Sequence, residues 1–378
     1  MDLRTNLQQQ ISRIDIDKSL LLELPTGIGK TFLSLKRIEQ YKQYYGITPK
    51  VLVVVPKLVL IKNWEEEIIK WGYPLVNFTF VTYLSLRKMS PIYEMVIFDE
   101  AHHITENNFA FAKLISSNAT STVFLSASIS VEKRKLIMRV NRGIETIQIS
   151  AKEAIDRKAL PDPKVLVVPM FLENTNKSIE CKTKDGKVFK QTPLEYYQYL
   201  SRCVERNKNL YMNGQSNKKK TWLYMAGQRL KFLAKQKTDM LKNLYPSLKY
   251  RSITFCADIQ QAQDINIPSV VSKNKKASEV YTKFNAGEIN HISCVGILDE
   301  GVNVKDCKIG IYAYIASNDR LIIQRLGRLL RHPNPVLIIP FFIDTREQEI
   351  LTKMLVNYNK KLVKTVSYKD ISKYIICW

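Results

Sequence analysis

The hydrophobic positions of the first 155 residues fall into short unbroken runs separated by stretches of helical length. LLLELP (20–25), VLVVVP (51–56), FTFVTY (78–83), MVIFDE (95–100) and TVFLSAS (122–128) are largely apolar or β-branched. Such runs suit strands buried on both faces. Between them, TFLSLKRIEQYKQYY (31–45) and the stretch ending NWEEEIIKW (63–71) are long enough to be helices. The alternation predicts a mostly parallel sheet with helical crossovers, an architecture that binds ligands at the carboxyl ends of its strands.

From about residue 250 the pattern returns. RSITFCA (251–257), INHISCVG (289–296), KIGIYAY (308–314) and PVLIIPFFI (335–343) read as strands, with ASEVYTKFNAGE (277–288) and RLIIQRLGRLLR (320–331) between them. A second α/β domain of similar size is expected. The middle of the chain differs. LPDPK (160–164) has two prolines and reads as a domain exit. CKTKDGKVFK (181–190) predicts a hairpin around its D-G pair, and 193–213 and 219–244 read as helices broken by GQSN (214–217). The expected division is an N-terminal domain over 1–155, a basic, mainly helical connecting segment over 156–245, and a C-terminal domain over 246–378.

Composition adds little until charge is considered. With 45% apolar and 25% charged residues, the 378-residue chain has the make-up of a globular protein. Its longest apolar runs, VLVVVP and VLIIPFFI (336–343), are far short of a membrane span. MDLRTNLQQQ at the start shows no signal-peptide pattern, so a cytoplasmic location is expected. Cysteines 181, 203, 256, 294, 307 and 377 have no metal-ligand spacing, and three lie in or beside apolar stretches as expected of buried thiols. The formal charge is +23, and residues 156–250 hold 20 basic against 8 acidic side chains, about half of the excess. Lysine-rich compositional drift is the plain explanation. Local concentration in a quarter of the chain favours a polyanion footprint.

Three short stretches carry chemistry. L-P-T-G-I-G-K-T (24–31) has the form of a phosphate loop, except that Leu24 stands where the pattern has glycine. Gly27 and Gly29 permit the tight backbone, Lys30 supplies charge for the phosphates and Thr31 a hydroxyl for Mg²⁺. M-V-I-F-D-E-A-H-H (95–103) places Asp99 to hold the metal and Glu100 to orient and deprotonate a water. A plain acidic loop after a core strand is the alternative. Q-R-L-G-R-L-L-R-H (324–332) spaces Arg325, Arg328 and Arg331 by three, so that Arg328 and Arg331 share a helix face. That helix is either solvated or a source of positive charge for the transition state.

Together these stretches resemble the superfamily 2 helicases and translocases, in particular DEAH-type members near the Snf-like and phage-helicase branches. LPTGIGKT resembles motif I, VLVVVPKLVLIKNWEEEI (51–68) motif Ia of Snf-type remodellers, and FVTYLSL (80–86) the next nucleic-acid-contacting motif. DEAH (99–102) corresponds to motif II, LSAS (125–128) to S-A-T, SITFCADIQQAQ (252–263) to motif IV, GILDEGVNVKDC (296–307) to motif V and QRLGRLLR (324–331) to motif VI. The resemblance implies two tandem RecA-like lobes that use ATP and Mg²⁺. By position it implies phosphate contacts from Pro25, Thr26, Gly27, Ile28, Gly29, Lys30 and Thr31, with Asp99 and Glu100 serving metal and water. Coupling falls to His102, Ser126, Ser128, Glu300, Gly301 and Asn303. Gln324, Arg328 and Arg331 complete the site. LRTNLQ (3–8) resembles an adenine-reading element with one residue extra, pointing to Gln8 or Gln9.

Polymer contacts in the family run along phosphates. Lys57, Thr82, Ser272, Lys273, Lys275 and Lys276 match those positions, and the basic central helices would add a salt-sensitive grip. Trp222, Tyr224 and Phe232 are candidate stacking residues, though core packing is the commoner role. P-D (161–162) with E-C-K (180–182) also fits a loose metal-nuclease pattern, but its aspartate lies in the proline exit. The expected protein is an ATP-dependent motor on DNA, with RNA possible, monomeric and served by a loading or replication/recombination partner. A duplex translocase that does not unwind, an RNA remodeller and an ATP-latched clamp are the rivals. The Asn/Ile/Lys-rich make-up suits a phage or mobile element.

Overall fold

The computed structural model describes residues 2–141, 143–183, 185–271, 276–295, 304, 306–315, 332–356 and 358–377. The chain divides into two compact units, the first built on residues 2–162 and the second on the described residues from 163 onward, apart from Val304.

In the first unit the strands are β1 (Leu20–Glu23), β2 (Val51–Val55), β3 (Phe78–Thr82), β4 (Met95–Phe98), β5 (Ser121–Ser126) and β6 (Glu145–Gln148). They form one parallel sheet in the order β3-β2-β4-β5-β1-β6. Every residue of β1, β2, β4 and β5 is buried, as unbroken apolar runs require when helices cover both faces. The helices are α1 (Leu3–Ser12), α2 (Lys30–Tyr45), α3 (Val59–Lys70), α4 (Glu106–Asn118), α5 (Val131–Met138) and α6 (Ala151–Asp156). A fully buried Arg37 on α2 reaches the carbonyls of Ile14, Asp15 and Lys18 and the Ser121 hydroxyl. It fastens the approach to β1 onto the helix that leaves the phosphate loop.

The second unit has a seven-stranded parallel sheet. Its strands are β7 (Lys164–Met170), β10 (Ser252–Phe255), β11 (Ser269–Val270), β12 (His291–Cys294), β13 (Ile309–Ile311), β14 (Val336–Phe342) and β15 (Val363–Thr365), in the order β11-β12-β10-β13-β14-β7-β15. A separate antiparallel hairpin joins β8 (Ile179–Lys182) to β9 (Val188–Gln191), turning through Gly186 at φ 80°. The helices are α7 (Pro193–Met212), α8 (Lys218–Lys235), α9 (Thr238–Leu244), α10 (Ile259–Asp264), α11 (Ala277–Ala286), α12 (Arg346–Leu355) and α13 (Ile371–Cys377). Cys256, Cys294 and Cys307 are buried thiols in no disulfide among the described residues.

Two expectations need correction. The segment 156–245 is not simply a connector, because β7 within it pairs along its whole length with β14 and belongs to the second sheet. Its apolar run VLVV is buried by those neighbours, and the LPDPK prolines mark the passage between units. The helix expected over 219–244 is broken after Lys235. Lys237 turns its ammonium inward to Glu347 at 2.6 Å, with neither side chain exposed, and α9 restarts beyond it. No described helix is long and apolar enough to cross a membrane.

Candidate nucleotide site

The sheet order of the first unit gathers three strand ends. β5 lies between β4 and β1, with Glu23 opposite Ser126 and Phe98 opposite Phe124. The phosphate-loop stretch leaves β1, the carboxylate pair leaves β4 and the LSAS stretch leaves β5. All three emerge at the carboxyl edge where parallel α/β sheets bind ligands.

Leu24, the departure from the loop pattern, is a core residue. Its N–H continues the β1–β5 pairing by donating to the Ser126 carbonyl at 3.0 Å, and its side chain is buried. Its carbonyl accepts from Lys30 Nζ at 3.0 Å. Gly27 and Gly29 take φ values of 97° and 98°, which L side chains rarely adopt. Pro25 and Ile28 are buried beneath the loop, whereas Thr26, Gly27, Gly29, Lys30 and Thr31 line a cavity of about 270 Å³. The N-terminus of α2 opens on this cavity, which places its first backbone N–H groups and the positive dipole end where an anion would lie. On α1, Arg4 donates to the Gly27 carbonyl at 3.1 Å, and Gln8, one turn on, shares Arg4's face.

Asp99 and Glu100 close the other side of the cavity. The Asp99 N–H extends the β4–β2 pairing to the Val54 carbonyl, and the Tyr83 hydroxyl donates to the Asp99 carbonyl at 2.8 Å. Asp99 Oδ1 accepts from the Glu100 N–H at 3.0 Å and Oδ2 from the Trp64 indole at 2.9 Å. Burial pushes the Asp99 carboxyl up to about 6, with the charge of Glu100 adding to the shift. Glu100 sits in the left-handed region at φ 49°, a strained position for a residue with a side chain. Its carboxylate is buried, and Oε2 accepts no hydrogen bond among the described residues.

Behind the pair, His102 Nδ1 lies 3.4 Å from Glu100 Oε2 and 3.1 Å from Ser126 Oγ, and Ser126 donates to the Ser128 carbonyl at 3.1 Å. Three of the six expected coupling residues thus form one line with Glu100. Glu300, Gly301 and Asn303 lie outside the described residues, as do Gln324, Arg325, Arg328, Arg331, Ser272, Lys273 and Lys275. Lys57 and Thr82 follow or end neighbouring strands β2 and β3, where Val55 stands opposite Thr82. Lys276 caps α11 in the second unit. Of the nuclease-like pattern, Asp162 ends the first unit and Glu180 and Lys182 sit on an exposed hairpin of the second.

A nucleoside triphosphate with a divalent cation fits this donor set. Lys30 and the loop amides suit phosphate oxygens, Thr31 and Asp99 suit the cation, and Glu100 lines the same cavity. Among the described residues no cluster of three or more His, Cys, Asp or Glu side chains is placed to hold a metal. Sequence reasoning missed Trp64 and Leu160. Trp64 belongs to the set Leu60, Asn63, Trp64 and Glu67, whose three- and four-residue spacing turns one face of α3 to the cavity. Leu160 Cδ2 would lie 3.1 Å from a Cβ added at Gly27, a proximity that no local sequence signal announces.

Comparison with known proteins agrees with this geometry. Residues 2–91 match the family described as "Type III restriction enzyme, res subunit", and residues 216–333 match "Helicase conserved C-terminal domain". The DNA 3'-5' translocase XPB2 of Sulfurisphaera tokodaii is 25% identical over 342 residues, covering 83% of this chain and 75% of its own. Among solved structures, S. cerevisiae Dbp5 bound to RNA and ADP BeF3 aligns over 98% of this chain and 92% of its own, with a TM-score of 0.65 and 12% identity. The Hef helicase domain of Pyrococcus furiosus aligns over 93% and 99%, with a TM-score of 0.53 and 17% identity.

Proposed function

We propose that this superfamily 2 helicase, an ATP-dependent helicase or translocase with two RecA-like lobes, is a motor on DNA that uses Mg²⁺ and moves 3'-5'. The observation that carries the reading is one cavity of the first unit, where Lys30, Thr31, Asp99 and Glu100 meet. The track and polarity follow the archaeal translocase that the chain resembles over most of its length. The DEAH tetrad at 99–102 and the NWEEEIIKW tract support a place among the DEAH-type, Snf-like members.

Lys30 and the loop amides bind and orient the phosphates. Thr31 and Asp99 hold the divalent cation, which when bound supplies electrostatic stabilisation of the charge that develops on the transferred phosphoryl group. The Glu100 carboxylate takes the proton of the attacking water. His102 and Ser126 carry the state of that carboxylate toward Ser128 and the polymer-facing loops. Arg328 and Arg331 complete the transition-state charge, and Gln324 the water-side contacts. Lys57 and Thr82 at adjacent strand ends hold the phosphate backbone, with Lys276 acting from the second unit. The β8–β9 hairpin of the second unit carries further exposed lysines, at 182, 187 and 190.

Steady-state ATP hydrolysis by the wild type and Glu100→Gln, with single-stranded DNA, duplex DNA or RNA, tests the reading. Stimulation by DNA that the substitution abolishes supports a DNA motor. Indifference to every polymer removes the motor, and a preference for RNA replaces its track. A second reading, duplex translocation without unwinding, is favoured by the printed activity of the archaeal relative, a translocase. Duplex-stimulated hydrolysis without strand displacement selects it.

A further inference from the structure

Helix α3 touches two places that the motor must connect. Its first turn is hydrogen-bonded to the turn leaving β2, with Leu60 N–H donating to the Lys57 carbonyl at 3.1 Å and Ile61 N–H to the Leu58 carbonyl at 3.0 Å. Leu58 beside it is 70% exposed, so this turn faces solvent at the strand edge shared with Thr82. Seven residues on, about 10 Å along a helix axis, Trp64 is buried at 3% exposure and its indole N–H meets Asp99 Oδ2. An indole N–H can only donate, so this contact has a fixed sense. Oδ1 is already held by the Glu100 N–H, and Trp64 therefore fixes the second oxygen and the rotation of the carboxylate.

We propose that Trp64 is a positioning residue for Asp99, and that α3 transmits polymer contact at the Lys57–Leu58 turn to the ATP cavity through the Trp64–Asp99 hydrogen bond. The proposal rests on the motor reading above. A displacement of the turn moves the helix as a unit, because the turn's carbonyls anchor the first helical N–H groups. The same movement alters the indole's hold on Asp99 and hence the carboxylate's readiness to receive the cation. Leu60, Asn63 and Glu67, on the face that lines the cavity, travel with it.

Trp64→Phe keeps an aromatic ring and deletes the donor. At saturating cation, DNA-stimulated kcat falls about tenfold and the basal rate falls less, so that the ratio of stimulated to basal rate drops about threefold. The cation concentration for half-maximal hydrolysis rises about fivefold, and Trp64→His, which restores an N–H, recovers part of both losses. Ile68→Ala, at a buried α3 position away from the cavity lining, serves as the packing comparison, lowering the melting temperature without changing the ratio of stimulated to basal rate. Equal loss of basal and stimulated rates in Trp64→Phe overturns transmission through α3. An unchanged cation requirement overturns the positioning of Asp99. Should no polymer stimulate the wild type, the motor reading and transmission both fall, and the cation requirement of the basal reaction still decides whether Trp64 positions Asp99.

Discussion

His102 donates through Nδ1 to the Ser126 hydroxyl at 3.1 Å, because the one proton of that hydroxyl is given to the Ser128 carbonyl. The imidazole is thereby fixed in the Nδ1–H form beside the Glu100 carboxylate. Ser126→Ala removes the acceptor and leaves a buried N–H without it. The expected cost is about 1–2 kcal/mol of unfolding free energy, together with a DNA-stimulated rate that drops more than the basal rate. Urea unfolding and the ratio of the two rates check this; an unchanged ratio would assign the line a purely structural role.

Backbone conformation, more than space, protects Gly27. Its φ of 97° strains any side chain, and an added Cβ would also press Leu160 Cδ2 at 3.1 Å. Gly27→Ala is expected to cost about 1–2 kcal/mol and to weaken nucleotide binding. The double variant Gly27→Ala/Leu160→Ala should not recover binding, since the room it creates leaves φ unchanged. Titration with a fluorescent ATP analogue distinguishes the cases.

Acidity should act on this site through Asp99. Its carboxyl is raised by burial from an ordinary value of 3.8 to about 6 in the fold. As pH falls through 6 the group is discharged, and cation–nucleotide binding should weaken toward a tenfold loss per pH unit. The effect on stability has the opposite sign. A raised carboxyl favours the folded state at low pH and disfavours it as pH rises between about 4 and 6, so acidification costs this group no stability. Isothermal titration from pH 5 to 8 should show the step, and Asp99→Asn should lose it.

The buried Lys237–Glu347 pair joins the end of α8 to the start of α12. Burial pushes the Glu347 carboxyl up and the Lys237 ammonium down, and each opposes the shift of the other; the Phe342 N–H at 3.2 Å further favours the carboxylate. Removing one partner, as in Glu347→Gln or Lys237→Met, should destabilise by about 3–5 kcal/mol. The double variant Lys237→Met/Glu347→Leu should regain most of that loss in urea unfolding. A double variant as unstable as the singles would show that the pair does more than neutralise itself.

The central strands of both sheets were legible because a strand buried on both faces leaves an unbroken apolar run, as in VLVVV and MVIF, whereas the short strands β6, β11 and β15 carry no such run and were not read. The phosphate loop and the carboxylate pair were legible because their chemistry demands fixed residue types at fixed local spacing. Less could be read where the decisive contact joins distant residues. β7 looked like part of a connector because nothing in VLVVP announces that its partners begin at 336 and 363. The break at Lys237 depends on a carboxylate 110 residues away, and one more lysine in a lysine-rich helix gives no warning of it. Trp64 stood in a tract read only as helical and as part of the motif Ia resemblance. Its role at Asp99 follows from the β2–β4 adjacency, which sets α3 over the end of β4.

Placement of β7 between β14 and β15 has a consequence for how the chain is made. The first sheet is complete once Gln148 has left the ribosome, so that unit's core can close during synthesis. β7 emerges next, but Lys164 must await Val336 and Val165 must await Val363. At ordinary elongation rates the delay is on the order of ten seconds, during which Val165–Val168 has neither neighbour to pair with. A nascent chain stalled before residue 336 therefore presents a finished first half carrying an open, sticky strand, and it is at this stage that the protein most needs a chaperone.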